Sequence, residues 1–304
     1  MTMFIRRHPI LFSVLVIWAI GAVVIISVAA LFFLGNREPA FEFGEKVGVI
    51  EIKGVIADPK AIVLQLKKFR KNKDVKAIVL RIDSPGGGVG PSQEIYAEVK
   101  KTTPLKKVVA SMGAIATSGG YYVAAAADHI MANPGTITGS IGVIMEFANV
   151  EELFKKIGIS AFVVKSGEYK DVGSPLRKMT PKERKLLVDF IDNVHQQFVA
   201  AVAEGRKMSE EQVQAIADGR ILSGQQAKKL GLLDSLGNME DAIALAAKLG
   251  GIKGEPSVIY AEKKKFSFLE FLLSSKLAGA LDRITGAALY SGYLYVPDWG
   301  ADNG

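Results

Sequence analysis

Along most of the chain, short β-branched runs alternate with longer stretches in which apolar residues recur every three or four positions. Val47–Lys53 reads as a strand, and Asp58–Lys71 as a helix capped by Asp58 with Pro59 at its first position. Val75–Asp83, VKAIVLRID, is almost continuously apolar, as a strand covered on both faces would be. Pro91–Thr102 then reads as a helix, Val108–Met112 as a strand, Ser118–Ala127 as a small-residue helix and His129–Ala132 as a short strand. This βαβα order predicts a parallel sheet covered by helices. Further on, Ile141–Phe147 and Ala161–Lys165 read as strands. Thr180-Pro181-Lys182-Glu183 forms a capping box that opens the longest helix, running to about Lys207, and Ser209-Glu210-Glu211-Gln212 and Ser223-Gly224-Gln225-Gln226 open two more.

One stretch has a different pattern. Ile10–Leu34 is 25 residues long, carries no charge, and departs from the apolar set only at Ser13, Gly21 and Ser27. At about 1.5 Å per residue it exceeds a hydrocarbon core of about 30 Å, and it is far longer than the apolar region of a cleaved signal peptide. The expected organisation is therefore a basic segment at 1–9, a transmembrane helix at 10–34, a linker at 35–46, a domain at 47–250 and a C-terminal extension at 251–304. Arg6, Arg7 and the α-amino group precede the span while Arg37 and Lys46 follow it, which narrowly favours an inside N-terminus. In the extension, Phe266–Leu281 is largely apolar but too short to span; it reads either as a membrane-surface or subunit-contact element or as an ordinary core helix.

Composition narrows the chemistry. The 304 residues include no cysteine and three histidines, at 8, 129 and 195. A disulfide framework, a thiolate metal site, an iron–sulfur cluster, a cysteine nucleophile and an HExxH helix are all excluded. Covalent chemistry must use Ser, Thr, Lys or a carboxylate, and no metal or cofactor is expected. The formal charge of +7 falls to +4 once residues 1–37 are set aside, 35 basic against 31 acidic, and no basic face with interleaved aromatics points to nucleic acid. The clusters Lys67-Lys68, Arg70-Lys71 and Lys263–Lys265 read as solvated faces or linkers.

Two glycine-rich breaks directly follow strands: Ser84-Pro85-Gly86-Gly87-Gly88 and the run Gly113–Gly120. Ligands of open α/β sheets bind at such strand ends. The first break lacks the Walker Lys-Ser/Thr and its glycines do not fit GxGxxG, so a nucleotide loop is disfavoured. Bare backbone also lets N–H groups converge on an anionic oxygen. Ser118 stands at a strand-to-helix turn flanked by small residues, where it reads either as a helix cap or as a nucleophile. His129 and His195 do not read as its base. A lysine can serve where burial keeps its amine neutral, but spacing does not choose among so many lysines.

Four segments together resemble a known family: SPGGG at 84–88, SMGAIATSGGYYVAAAAD at 111–128, TGSIGVI at 138–144 and KSGEYKDVGSP at 165–175. In this order, over about Val47 to Gly237, the chain is similar to signal peptide peptidase A, a membrane-anchored Ser–Lys protease of bacteria. The resemblance implies an α/β fold with a crotonase- or Clp-protease-like superhelical βαβ core, in the short single-domain form. It implies Ser118 as nucleophile, Lys170 as general base, the N–H groups of Gly87 and Gly119 as oxyanion hole and Ser140 as a hydroxyl that orients the lysine. It further implies a homo-oligomeric, dome-like assembly, apolar signal peptides as substrates, and a catalytic domain outside the bacterial inner membrane on a single-pass anchor. Three other readings stand beside it: a Clp-like Ser–Lys protease that cleaves the apolar tail of a membrane scaffold protein, a crotonase-like acyl-CoA enzyme, and a membrane-anchored scaffold with a degenerate site.

Overall fold

The computed structural model describes residues 18–23, 26–27, 44–261 and 292–294. They belong to two units, Met1–Gly44 and Glu45–Gly304. In the first, 18–23 and 26–27 are helical, with Trp18, Ile20, Val23 and Ile26 exposed. No helix among the described residues is long and apolar enough to cross a membrane. The expected span at 10–34 lies for the most part outside the described residues, as does Phe266–Leu281.

The second unit opens with β1 (Lys46–Lys53), α1 (Lys60–Lys71), β2 (Val75–Ser84), the three-residue β3 (Gly86–Gly88), α2 (Val89–Thr102) and β4 (Lys107–Thr117). There follow α3 (Gly119–Ala124), β5 (His129–Ala132), β6 (Ile137–Gly139), α4 (Glu151–Lys156) and the long α5 (Pro181–Arg206). The chain continues through α6 (Glu210–Gln214), β7 (Ile221–Ser223), α7 (Gly224–Lys229), β8 (Ser235–Leu236), α8 (Met239–Leu249) and β9 (Ser257–Tyr260), and β10 (Gly292–Leu294) is the last described element.

Eight of the strands make one sheet, in which β9, β1, β2 and β4 are successive parallel neighbours. Beyond β4 the sheet divides. β5 pairs with Val109–Met112 and carries β8, while β6 pairs with Ile115–Thr117 and carries the antiparallel β7. β3 and β10 form a separate antiparallel pair.

The alternation of side chains along each strand sorts the core into two layers. Val47, Val49, Ala77, Val79 and Val109 face Ala242, Ile243, Ala246 and Ala247 of α8. Ile50, Ile52, Ile78, Leu80, Ile82, Val108, Ala110 and Met112 pack in the other layer, with Leu66 and Phe69 of α1, Ile95 and Val99 of α2, Tyr121 and Val123 of α3, and Phe198, Val199 and Val202 of α5. With both faces covered, the near-continuous apolar run of β2 has its reason. An aromatic stack joins three of these helices: Tyr122 sits 5.0 Å from Tyr96 and 4.9 Å from Phe198, ring centre to ring centre, with both pairs inclined.

The helix starts follow their local signals. Thr180 and Glu183, Ser209 and Gln212, and Ser223 and Gln226 each make both bonds of a capping box. At α1 the cap position is held by Pro59, and the Asp58 carboxylate accepts the Lys60 N–H at 2.9 Å. The expected strands Ile141–Phe147 and Ala161–Lys165 are absent; apart from a lone bridge at Ile144, both segments are irregular. Both expectations rested on β-branched composition, which describes a residue that suits a sheet and does not supply a neighbouring strand.

At the crossing of α5 and α3, a Cβ on Gly205 would run into the carbonyl of Ala125. Helix propensity alone favours Gly→Ala by about 1 kcal/mol, whereas overpacking against fixed backbone costs about 1–3 kcal/mol. Gly205→Ala is expected to lower stability in a urea melt, and a raised midpoint would show that the crossing is looser than described.

Candidate active site

The site begins with a break in the sheet. β2 and β4 run in register from Ala77↔Lys107 to Ile82↔Met112, and then the pairing jumps to Ser84↔Ala116. The Asp83 carboxylate fills the gap, accepting the N–H groups of Ala114 at 2.7 Å and Ile115 at 3.3 Å. Gly113 lies against that carboxylate, which any Cβ there would strike. Past the bulge, Thr117 Oγ1 donates to the Pro85 carbonyl at 3.0 Å, fastening the end of β4 to the loop that leads into β3. Gly86, at φ 106°, makes the turn out of β2, and its N–H donates to Ser84 Oγ at 3.1 Å.

Ser118 follows directly. It is 1% exposed and adopts φ 54°, ψ −120°, a conformation that L-residues avoid. Although it occupies the cap position of α3, its side chain makes no capping hydrogen bond, so the helix-cap reading is set aside. Its N–H donates to Gly139 O at 2.9 Å, and its carbonyl accepts the Tyr122 N–H at 2.8 Å. Strain of this kind, about 1–3 kcal/mol for one residue, persists where neighbours over-determine it, and it marks the sharp turns that present nucleophiles.

Gly87 and Gly119 meet beside this serine. A Cβ on Gly119 would stand 3.3 Å from the Gly87 nitrogen and would collide with Ser92 Oγ, while a Cβ on Gly87 would strike the backbone of Ile56. Both positions thus need glycine for close approach, and the approach brings Gly119 against the Gly87 nitrogen. Ser140, at φ 51°, follows the Gly139 carbonyl that Ser118 uses, and its own N–H donates to Arg220 O at 2.8 Å. The structure therefore gathers Ser118, Gly87, Gly119 and the backbone leading into Ser140. Lys170 is exposed, and no hydrogen bond among the described residues joins it to Ser118 within the chain.

The family model for peptidase family S49 matches residues 100–253, half of the chain, and a Clp protease model matches 45–136. The chain belongs to peptidase family S49. A Synechocystis protein named as a protease is 49% identical over 209 residues, covering 68% of this chain and 76% of that one. A signal peptide peptidase of Enterococcus faecium is 36% identical over 248 residues, covering 77% and 72%. A chloroplastic serine protease of Arabidopsis thaliana is 33% identical over 221 residues, covering 70% of this chain and 33% of its own length. This S49 member is a serine peptidase on a Clp protease-like α/β fold.

Two features of the S49 site were not evident from the sequence. Ser92, in the first turn of α2, is fully buried and donates from Oγ to Gly88 O at 2.9 Å, filling the space beside Gly119. It lies in an ordinary helix-start context, PSQE, and carries no signal of its own. The second is the bracing of the loop that holds Lys170. Asp171 pairs with Lys165 and, at 2.8 Å, with Arg177 Nε; Arg177 continues to both oxygens of Glu183 in the first turn of α5. Lys182 reaches back to Glu168 at 2.9 Å and lies 5.4 Å from the Tyr169 ring centre. The loop backbone is tied down while the Lys170 side chain points to solvent.

Arg177 holds the Glu183 carboxyl down from its ordinary 4.5 to about 2, with the Thr180 N–H assisting, and Arg177 and Lys165 hold Asp171 well below the carboxylate range. For carboxyls depressed in the folded state, the stabilisation is complete above their ordinary values and is lost as pH falls through the depressed ones. The brace is thus expected to be intact from neutral pH to about 4.5 and to release on approach to pH 2. A carbon-13 titration of the Glu183 carboxyl should move up toward the ordinary value in Arg177→Gln; a midpoint that stays near 2 would refute the assignment of the shift to Arg177.

Proposed function

We propose that this peptidase is a membrane-anchored Ser–Lys endopeptidase that degrades remnant signal peptides, with Ser118 as nucleophile, Lys170 as general base and the Gly87 and Gly119 amides as oxyanion hole. The observation that carries the reading is Ser118 itself: a strained serine, released from capping, next to Gly119, which packs closely against the Gly87 nitrogen. In the reaction, Lys170, in its neutral form, takes the Ser118 proton and the alkoxide attacks the peptide carbonyl. The two amides stabilise the oxyanion as charge develops on it. The lysine returns its proton to the leaving amine, and water, activated by the same lysine, hydrolyses the acyl-enzyme. Ser140 is proposed to steer the lysine into line.

The exposure of Lys170 in the single chain favours a dyad shared between copies in a homo-oligomer. The segments on either side of the Lys170 loop support this, for Leu153, Ile157, Phe162 and Val164 project into solvent, the last two 90% and 91% exposed. Such a run of apolar side chains on a soluble surface is a subunit contact in search of its partner. An apolar substrate is supported by a cavity of about 240 Å³ beside the oxyanion strand, where Ile52, Val55, Ile56, Ile62 and Ile95 form an apolar wall and Glu51, Lys53 and Asp58 add charged groups. Ile56 also bridges Gly87 directly, so a side chain entering that cavity belongs to a peptide already near the donors. The uncharged stretch Ile10–Leu34 is proposed to tether the enzyme in the bacterial inner membrane with its catalytic domain outside, where released signal peptides remain and where tethering raises their effective concentration.

Incubating the protein with a signal-peptide-like apolar peptide tests the reading. Ser118→Ala and Lys170→Ala should each reduce kcat by at least about 10³-fold. Mixing the two inactive variants after co-refolding should restore measurable activity, because some sites then pair an intact serine with an intact lysine from another copy. Full activity in either single variant would remove that residue from the mechanism, and a mixture as inactive as its parts would confine the dyad to one chain.

A further inference from the structure

The end of the domain opposite Ser118 carries an excess of positive charge. The parallel strands β1, β2, β4 and β9 all start there, as the pairs Lys46↔Val75, Lys46↔Ser257 and Ala77↔Lys107 require, so the crossover helices between them finish there too. α1 ends in Lys67, Lys68, Arg70 and Lys71, and α2 in Lys100 and Lys101. Lys248 lies in the last turn of α8, and the Gly250 that follows packs on the Lys76 backbone. Lys106 joins three elements of this pole, donating from Nζ to the carbonyls of Phe69 at 2.7 Å, Val75 at 2.6 Å and Asn72. Over 45–46, 67–76, 98–107, 128–129 and 248–257 there are 13 basic side chains against five acidic ones. With Glu204 of α5 added, which pairs with Lys100 at 2.8 Å, the excess is seven, whereas the whole chain beyond residue 37 has an excess of four. Glu45, Asp128 and Glu98 are engaged by Lys76, Lys107 and Arg70. Lys67, Lys71, Lys73, Lys101, Lys248 and Lys253 are exposed, and no ion pair among the described residues holds them.

Apolar side chains project among these cations. Leu105 is 70% and Leu249 41% exposed, and Leu105 stands in the turn of the sequence KKTTPLKK, with two lysines on either side. Cations around a protruding leucine suit the boundary between anionic headgroups and acyl chains, where charge attracts and the apolar group inserts. Nucleic acid is less well matched: Phe69 is buried and offers no stacking face, and Arg70, the one arginine of the 13 cations, is taken by Glu98. The chain also enters the domain at this pole. Eleven residues separate Leu34, the end of the uncharged stretch, from Lys46 at the start of β1, a reach of at most about 40 Å. We infer that this lysine-rich pole docks the domain on anionic membrane lipid, with Leu105 at the interface. The inference takes its partner from the anchor proposed above, while the charge and the exposed leucines stand without it. Docked this way, the domain holds Ser118, at the far end of β4, about 30 Å from the headgroups, a distance that an extended peptide covers in about ten residues.

Because the chain has no cysteine, an environment-sensitive fluorophore can be attached to the full chain at one chosen place, Pro104→Cys at the pole or Val55→Cys beyond the other end of β1. Vesicles of phosphatidylcholine that include phosphatidylglycerol should shift the Pro104→Cys label to the blue and brighten it, vesicles of phosphatidylcholine alone should not, and the Val55→Cys label should respond to neither. Salt at about 0.5 M, where the Debye length is about 4 Å, should abolish the shift. Each lysine near an anionic surface is worth about five-fold in binding, so Lys71→Glu, Lys73→Glu and Lys101→Glu together should also remove it, with the melting curve and hydrolysis of a soluble peptide unchanged. Equal spectra in the two kinds of vesicle, equal responses at Pro104→Cys and Val55→Cys, or a shift retained in the triple variant would overturn the inference. A response to a single-stranded oligonucleotide with none to vesicles would assign the pole to nucleic acid and overturn it too. Flotation with phosphatidylcholine vesicles reports the anchor separately. A chain that floats with them but shows no lipid-dependent shift keeps its anchor and loses this inference, whereas one that floats and shifts only with phosphatidylglycerol loses the anchor and keeps the docking pole.

Discussion

The geometry of the site depends on one carboxylate. Parallel strands in strict register would pair Ser84 with Ala114 and leave the end of β4 two residues out of place. Asp83 prevents this by accepting two amides of β4 in place of a backbone carbonyl, which lets the register jump between Ile82 and Ser84. The extra length delivers Thr117 to Pro85, and hence Ser118 to the flank of β3. Asp83 is a partly exposed acid that would draw no attention in a list of candidate catalytic groups. Its work is positional, and Gly113 is its complement, the one residue type that leaves room for it.

A second constraint concerns how the site is divided. The proposed nucleophile and oxyanion donors are built into the sheet, where neighbouring strands fix them, while the proposed base is mounted on an outward loop held by ion pairs. The carboxylates of those ion pairs are shielded, the Asp171 and Glu183 side chains being 11% and 6% exposed. What the Lys165, Asp171, Arg177 and Glu183 chain does is tie the loop that carries the solvent-facing Lys170 to the start of α5. Exposed apolar residues and an exposed base on adjacent segments have the same explanation if the chain works as an assembly.

Much of the fold is legible in the amino-acid sequence. The capping boxes at Thr180, Ser209 and Ser223 formed as their spacing required, and the alternation of Val47 to Ile52 and Ala77 to Ile82 sorted itself onto two faces because strand periodicity leaves no other arrangement. The glycines of the site were visible as a cluster, though not their partners: the contact of Gly119 with Ser92 joins residues whose proximity is created by the packing of α2 on α3. The strands expected at 141–147 and 161–165 failed for a related reason. Local composition describes what a segment can do, and pairing depends on whether a second strand is within reach. The docking of β10 on β3 was likewise invisible, since SGYL among small residues and tyrosines resembles a loose tail until a strand edge is provided.

The two strained serines show how such a site remains rigid. Ser118 and Ser140 both hold positive φ, at a cost of about 1–3 kcal/mol apiece, and neither is glycine. They are linked through one turn: Ser118 N–H binds Gly139 O, and the next residue, Ser140, gives its N–H to Arg220 O, at the approach to β7. Relaxing either serine would break a bond that holds the other, and β6, clamped between β4 and β7, would have to move with them. The strain therefore has no inexpensive local escape. A serine held in this way keeps its hydroxyl free of capping duty, as the nucleophile proposed for this site must.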